Sequence, residues 1–149
     1  MKLKKPLFAI VMGISLLSFG TGASAAENDG LVDSSVAQSY KQLKPGTISI
    51  MAAPTNTSTT TVYNNFEGAY AVSKSTSTTT EDYIYAKCRT FNGSGEVLNT
   101  KTVSQYDSSY VAAKAVNGTF YIANDWAVGN HTYKLSGYND VVHETRDDW

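Results

Sequence analysis

The chain has 149 residues, with 12 Lys and Arg against 13 Asp and Glu and a formal net charge of −1 at pH 7. This length suits one domain with its own core and is too short for two comfortable ones. Since there is no excess of positive charge, the composition argues against nucleic acid or an anionic membrane as the main partner, because both select basic patches.

The N-terminus has the order of a secretory signal peptide. Lysines within the first five residues precede an apolar run at 6–19, and Ala-Ser-Ala follows at 23–25. The apolar run is short for a membrane span and is followed by a cleavage pattern. We therefore expect residues 1–25 to be removed after Ala25, the protein to be secreted, and no membrane span to remain.

Removal of this segment leaves nine Lys and Arg against thirteen Asp and Glu, a formal charge of −4. Cys88 is the only cysteine, so no disulfide can form within one chain even in an oxidising compartment. A lysine-led signal with almost no cysteine is typical of secreted proteins of Gram-positive bacteria. Because Cys88 would share a strand face with Ile84 and Ala86, we expect a buried thiol and a monomer rather than a disulfide-linked dimer.

Residues 26–60 are predicted to form a flexible leader with at most one short helix. Apolar residues at 32, 36, 40 and 43 have weak helical spacing, and Pro45 and Gly46 would end such a helix. A pro-segment removed after export is an alternative for which no cleavage signal is present. The pentapeptide TSTTT occurs at 57–61 and again at 76–80, which suits either an internal duplication or β-favourable threonines at strand edges.

From residue 61 onward the chain has the strand signals of an all-β, antiparallel domain. Six segments rich in Tyr, Val, Thr and Ala are separated by turn residues; they are 68–74, 82–91, 96–106, 109–116, 119–123 and 131–138. NGSG at 92–95 and NG at 117–118 would form hairpin turns. This spacing predicts a β-sandwich over residues 61–149. The stretch NDWAVGNHTYKLSGY has the pattern of a loop and a late strand in an immunoglobulin-like sandwich, and also of many other all-β domains.

The sequence contains no pattern that predicts catalysis, a cofactor or a metal site. His131 and His143 are the two histidines, and no nucleophile elbow, phosphate-binding loop or dinucleotide fingerprint accompanies them. HETRD at 143–147 has Asp where the zinc-protease pattern needs its second His, so we expect a solvated acidic tail. The acids of this tail lack the loop of a dedicated calcium site; they are Asp140, Glu144, Asp147 and Asp148. Glu81 and Asp82 are adjacent and would point to opposite faces of a strand, so they are not predicted as a catalytic pair.

The best candidate for a binding site is one face of the predicted strand at 82–91. Alternation places Ile84, Ala86 and Cys88 inward and the tyrosines and cations outward. Aromatic side chains interleaved with cations can contact carboxylates, phosphates or sugar faces, although tyrosine is also a favoured strand residue. A loop around Trp126 would be a second place to present an aromatic ring. The candidate binding residues are Tyr83, Tyr85, Lys87, Arg89 and Trp126.

These observations favour a secreted, non-enzymatic binding protein whose partner is a cell-wall polymer or another extracellular protein. A small secreted toxin that acts on competing cells, as bacteriocins do, is the alternative from another class. A membrane-inserting toxin would carry an amphipathic or long apolar segment, and none follows residue 25. A hydrolase has the least support, because two histidines supply few convergent titratable groups.

Overall fold

The computed structural model describes residues 34–49, 52–66, 68–118 and 124–149. Within these ranges six strands form one antiparallel sheet, which confirms the all-β, antiparallel prediction. The strands are β1 (Val36–Tyr40), β2 (Thr55–Asn65), β3 (Gly68–Phe91), β4 (Val97–Val116), β5 (Trp126–Lys134) and β6 (Val141–Asp148). The expected signal peptide, the start of the expected leader and the predicted strand 119–123 lie outside the described residues.

β3 is one strand of 24 residues that replaces two predicted strands. Its first half pairs with β2 and its second half with β5, while β4 pairs with both halves. The register with β4 shifts between Thr76 and Glu81. The buried positions of β3 are odd-numbered up to Glu81 and even-numbered from Ile84 onward. The linking segment is polar, but its threonines are favourable in a strand, and the chain continues through it without turning.

The sheet is nearly closed into a barrel, which corrects the predicted β-sandwich. Its strand order is β1-β2-β3-β5-β6, and β4 pairs with β3 outside this linear order. The last strand returns to the first part of the sheet: Arg146 N donates to Ser34 O at 2.8 Å, and Trp149 Nε1 donates to Tyr63 O at 3.0 Å. A sandwich consists of two separate sheets, whereas β3 runs through both halves here and keeps them in one sheet. The described residues therefore form one sheet and not the two sheets of an immunoglobulin-like arrangement.

β1 and the first six residues of β2 lie in the segment 26–60 that was predicted as a flexible leader. The helical spacing that included Val36 and Tyr40 is wrong for this part of the chain, because both residues lie in β1 with exposed side chains. β1 pairs with β2, with Val36 opposite Thr59. The fully buried residues of β2 are polar, so an apolar alternation does not mark this strand; they are Asn56, Ser58 and Thr60.

The predicted acidic tail is also a strand. β6 pairs with β5 along its whole length, and its Thr145 is fully buried while Glu144 and Asp148 are exposed. Both faces of β6 carry polar side chains, and the inward ones are satisfied by other polar groups of the interior. The two faces of β6 therefore do not differ in hydrophobicity, and for this reason the sequence predicts a solvated tail where the structure has a strand.

The interior of the barrel has an apolar part and a polar part. The buried apolar cluster consists of Ala71, Ile84, Ala86, Cys88, Val111, Ala113, Ala115, Ala127 and Tyr133. The predicted inward set of β3 is thus confirmed, and Cys88 is a buried free thiol. Burial raises the pKa of this thiol, so little of the reactive thiolate forms at neutral pH.

A buried ion pair crosses from the end of β1 to the register shift of β3. Lys41 Nζ lies 3.1 Å from Glu81 Oε2, and neither side chain is exposed. Glu81 Oε1 accepts hydrogen bonds from Asn56 Nδ2 and Ser77 Oγ, each at 2.7 Å. The neighbouring Asp82 is exposed, so the two adjacent carboxylates lie on opposite sides of β3, as predicted.

Candidate binding surface

The second half of β3 turns its tyrosines and cations to the outside of the barrel, in alternation with the buried side chains. Register with β4, β5 and β6 brings further aromatic and charged residues alongside them. We call this surface the aromatic face. It consists of Tyr83, Tyr85, Lys87, Arg89 and Phe91 of β3, Tyr106 of β4, Trp126, Asn130 and Lys134 of β5, and Arg146 of β6.

One end of the aromatic face is a cluster of tyrosines. Tyr83 stacks with Tyr85, with ring centroids 6.5 Å apart, and is tilted against Tyr106 at 5.3 Å. On the other side of Tyr83, Lys134 Nζ lies 5.8 Å from its ring centroid. These contacts follow from the register, because Tyr83 is directly opposite both Tyr106 and Lys134.

The other end of the aromatic face contains Trp126. This residue is the first of β5 rather than part of a loop, and it lies opposite Phe91. The two rings are nearly parallel, 9° apart, with centroids separated by 5.5 Å. Arg89 Cζ lies 5.5 Å from the Phe91 ring, and Arg146 Cζ lies 4.9 Å from the Trp126 ring. The five predicted binding residues therefore share one face.

Two cations lie between these aromatic ends. Arg89 Nη2 donates to Asn130 Oδ1 at 2.9 Å, and its Nε is buried without a hydrogen-bond partner. Lys87 forms no ion pair with any residue of the described ranges. Glu144 is the acid closest to them in register, and its Oε2 accepts a hydrogen bond from Asn130 Nδ2 at 2.7 Å. From Tyr83 to Phe91 the strand rises about 27 Å, so the face is elongated along β3.

Sequence reasoning missed half of this face, and only one of the missed residues had a local signal. The alternation that gives Tyr83, Tyr85, Lys87 and Arg89 continues to Phe91, two residues further on. The other missed residues depend on pairing between strands that are distant in sequence; they are Tyr106, Asn130, Lys134 and Arg146.

The histidines lie inside the barrel, in two chains of hydrogen bonds. In the first, Ser75 Oγ donates to Tyr85 O at 2.7 Å, so it accepts from His131 Nδ1 at 2.9 Å. His131 Nε2 then accepts from Thr145 Oγ1 at 2.9 Å, and Thr145 accepts from Thr60 at 2.6 Å. His131 is fully buried. Every polar atom of its neutral ring is satisfied, and an external substrate has no access to it.

His143 lies directly opposite His131 and is held in the same way. Tyr133 Oη donates to Thr57 O at 2.7 Å, so Ser58 donates to Tyr133 Oη at 2.7 Å and accepts from His143 Nδ1 at 2.8 Å. His143 Nε2 is 2.8 Å from Ser39 Oγ, which donates to it. Both imidazoles therefore carry their proton on Nδ1. The contacts join β1, β2, β5 and β6, which indicates a structural role for the pair.

Acid is expected to destabilise the protein through these histidines. Burial, with the neighbouring His143, lowers the pKa of His131 from 6.5 to about 3, and burial lowers the pKa of His143 too. Below pH 6.5 the unfolded chain therefore binds protons that the native state does not, and stability is lost as the pH falls towards 3. His131 alone should cost about 2 kcal/mol between pH 7 and pH 5.

Urea unfolding at pH 7 and pH 5 measures this effect. His131→Gln should be less stable than the natural protein at pH 7 but should show a smaller difference between the two pH values. Equal stability of the natural protein at both pH values would contradict the neutral state of the buried His131 and the half-buried His143.

The described residues contain no group of three His, Cys, Asp or Glu side chains that could hold a metal ion. In the same ranges no helix has the length and apolar character of a membrane span. Comparison of the chain with known protein families, with curated proteins and with solved structures found no match to any of them.

Proposed function

We propose that this is a secreted, non-enzymatic binding protein that contacts a cell-wall polymer through the aromatic face. The observation that carries the proposal is the presence of five aromatic rings and four cations on one outward surface of the sheet. Such rings offer a large apolar area that loses little entropy on binding, and polar tips that can form hydrogen bonds. Both histidines, which could otherwise act as general acids or bases, are hydrogen-bonded to side chains of neighbouring strands.

Retention on purified Gram-positive cell walls tests the proposal. The folded protein should sediment with the walls, and Tyr85→Ala and Trp126→Ala should each weaken retention by roughly tenfold, because buried interface aromatics contribute most of the binding energy. Tyr40→Ala is the matched control. Tyr40 is 71% exposed on β1, outside the aromatic face, and its loss should leave retention unchanged.

Circular dichroism and urea unfolding must show that each variant is folded. Normal retention by both face variants would contradict the proposal, and so would an equal loss with Tyr40→Ala. Killing of neighbouring bacteria without any wall retention would favour the toxin alternative. If the protein is retained by a surface protein rather than by a polymer, the aromatic face binds a protein partner instead.

A further inference from the structure

We propose that the ligand of the aromatic face is an anionic polysaccharide, whose carboxylate or phosphate groups bind Lys87 and Arg89 while its sugar rings contact the aromatic ends. This inference rests on the proposed function and names the chemistry of its ligand. It is drawn from the charge at the centre of the face and from the arrangement of rings around that charge.

The two central cations have unused hydrogen-bond donors. A guanidinium has five N–H donors. Within the described residues Arg89 donates one hydrogen bond, from Nη2 to Asn130, and its Nε is buried. A lysine ammonium has three donors, and no side-chain partner of Lys87 is found within the described ranges. By contrast, the cations at the rim of the face are paired: Lys134 Nζ is 3.7 Å from Asp140 Oδ2, and Arg146 Nε is 2.9 Å from Asp148 Oδ1. Within the described residues the two central cations thus have no direct ion pair, and Glu144 is linked to Arg89 through Asn130, whereas the cations at the rim are paired.

The elongated shape of the face along β3 favours a polymer over a single small anion. Lys87 and Arg89 are two residues apart on a strand, which separates their Cα atoms by about 7 Å. One ion pair on an exposed surface contributes little binding energy, whereas a chain with repeated anionic groups can engage both cations at once, with a high effective concentration for the second contact.

The aromatic ends add a preference for sugars. The parallel rings of Phe91 and Trp126 lie on one side of the cations and the Tyr83–Tyr85 stack lies on the other. A polysaccharide that follows β3 would place its apolar ring faces on these aromatic groups and its oxyanions on the cations between them. Arginine also binds planar oxyanions through two parallel hydrogen bonds, which adds directionality that a nonspecific cation lacks.

Three soluble probes test the ligand chemistry: polygalacturonate with a carboxylate on each sugar, a teichoic acid with phosphodiester links, and neutral dextran. Calorimetry should detect binding to at least one of the two anionic polymers and none to dextran. The polymer that binds more tightly identifies carboxylate or phosphate as the recognised group. Affinity should fall as salt is raised from about 0.05 M to about 0.5 M, because the shorter Debye length weakens charge contacts.

Charge-removal variants test the residues. Lys87→Gln and Arg89→Gln should each lower affinity for the bound polymer by roughly tenfold, the loss expected for a hydrogen bond to a charged group. Lys74→Gln is the matched control, since Lys74 lies on the other half of β3, before the register shift. Lys87 has no side-chain partner to lose within the described ranges, so Lys87→Gln keeps the test decisive if Arg89→Gln fails to fold.

Tight binding to dextran, indifference to salt, or full affinity of Lys87→Gln would each overturn the inference while leaving wall retention intact. The inference would also be overturned if the protein bound none of the three polymers and was retained on cell walls by a wall-attached protein. Absence of any wall retention by the natural protein would instead overturn both this inference and the proposed function.

Discussion

Replacing Lys41 with methionine should lower the free energy of unfolding by about 3–5 kcal/mol, because it leaves the carboxylate of Glu81 buried without its counter-charge. Both side chains are fully buried, 3.1 Å apart. Lys41 Nζ also donates to Tyr133 O at 3.2 Å, and that acceptor would lose its side-chain donor. Urea unfolding at pH 7 measures the change.

A second substitution shows how much of this loss comes from the unpaired charge of Glu81 and how much from the packing of the Lys41 side chain. In Lys41→Met/Glu81→Gln the buried charge is removed, and the oxygen of the new amide can still accept from Asn56 and Ser77, the two donors that now serve Glu81. This double variant should recover a large part of the lost stability. A change below about 1 kcal/mol in Lys41→Met would mean that the pair is solvated, as for surface ion pairs.

Gly129→Ala should cost about 3 kcal/mol or more, since the added methyl group has no space. A Cβ at this position would lie 2.6 Å from Ser73 Oγ and 2.7 Å from His131 Nε2, and closer still to Thr60 Oγ1. The glycine thus allows β5 to approach the hydroxyl groups of β2 and β3. Moving them would break the hydrogen bonds that satisfy His131.

A double-mutant cycle checks the cause of this loss. Thr60→Ala removes the oxygen nearest to the new methyl group, so Gly129→Ala should cost less in the Thr60→Ala background than in the natural protein. Additive effects of the two substitutions, measured by urea unfolding, would show that the clash with Thr60 is not the source of the instability.

Local alternation predicts the parts of this fold where apolar side chains separate the two faces of a strand. Ile84, Ala86 and Cys88 alternate with larger polar and aromatic residues, so the orientation of this stretch could be predicted and is confirmed. β2 and β6 could not be predicted in this way, because their inward positions include buried polar residues such as Ser58 and Thr145. A buried hydroxyl is stabilised by its partners, and those partners lie on other strands.

Closure of the barrel depends on contacts between distant parts of the chain. Ser39 and His143 form a hydrogen bond although they are 104 positions apart in the sequence. A local sequence pattern cannot predict a contact over that separation. The continuity of β3 could not be predicted for a different reason: the polar segment 75–80 has the composition of a loop, yet its threonines are favourable in a strand and the strand runs through it.

The candidate surface was predictable in its centre and not at its rim. One strand supplies Tyr83, Tyr85, Lys87 and Arg89, so alternation alone places them together. Trp126 was predicted as a separate exposed aromatic, and only the pairing of β5 with β3 brings it opposite the last residue of β3. The guanidinium of Arg146 joins through a further pairing, that of β6 with β5.

Tryptophan fluorescence tests most directly whether the aromatic face is the contact surface. The chain has two tryptophans: Trp126 lies on the face, and Trp149 packs against the buried core with its indole bonded to Tyr63 O. Trp149→Phe therefore leaves Trp126 as the single tryptophan, and Trp126→Phe leaves Trp149, so excitation at the red edge of tryptophan absorption reports one residue at a time.

Soluble cell-wall fragments should shift the emission of Trp126 in the first variant and protect it from acrylamide quenching. They should leave the emission of Trp149 in the second variant unchanged, although Trp126→Phe keeps an aromatic ring on the face and should still bind. A response of Trp149 without any response of Trp126 would contradict the account, since the ligand would then contact a surface other than the aromatic face.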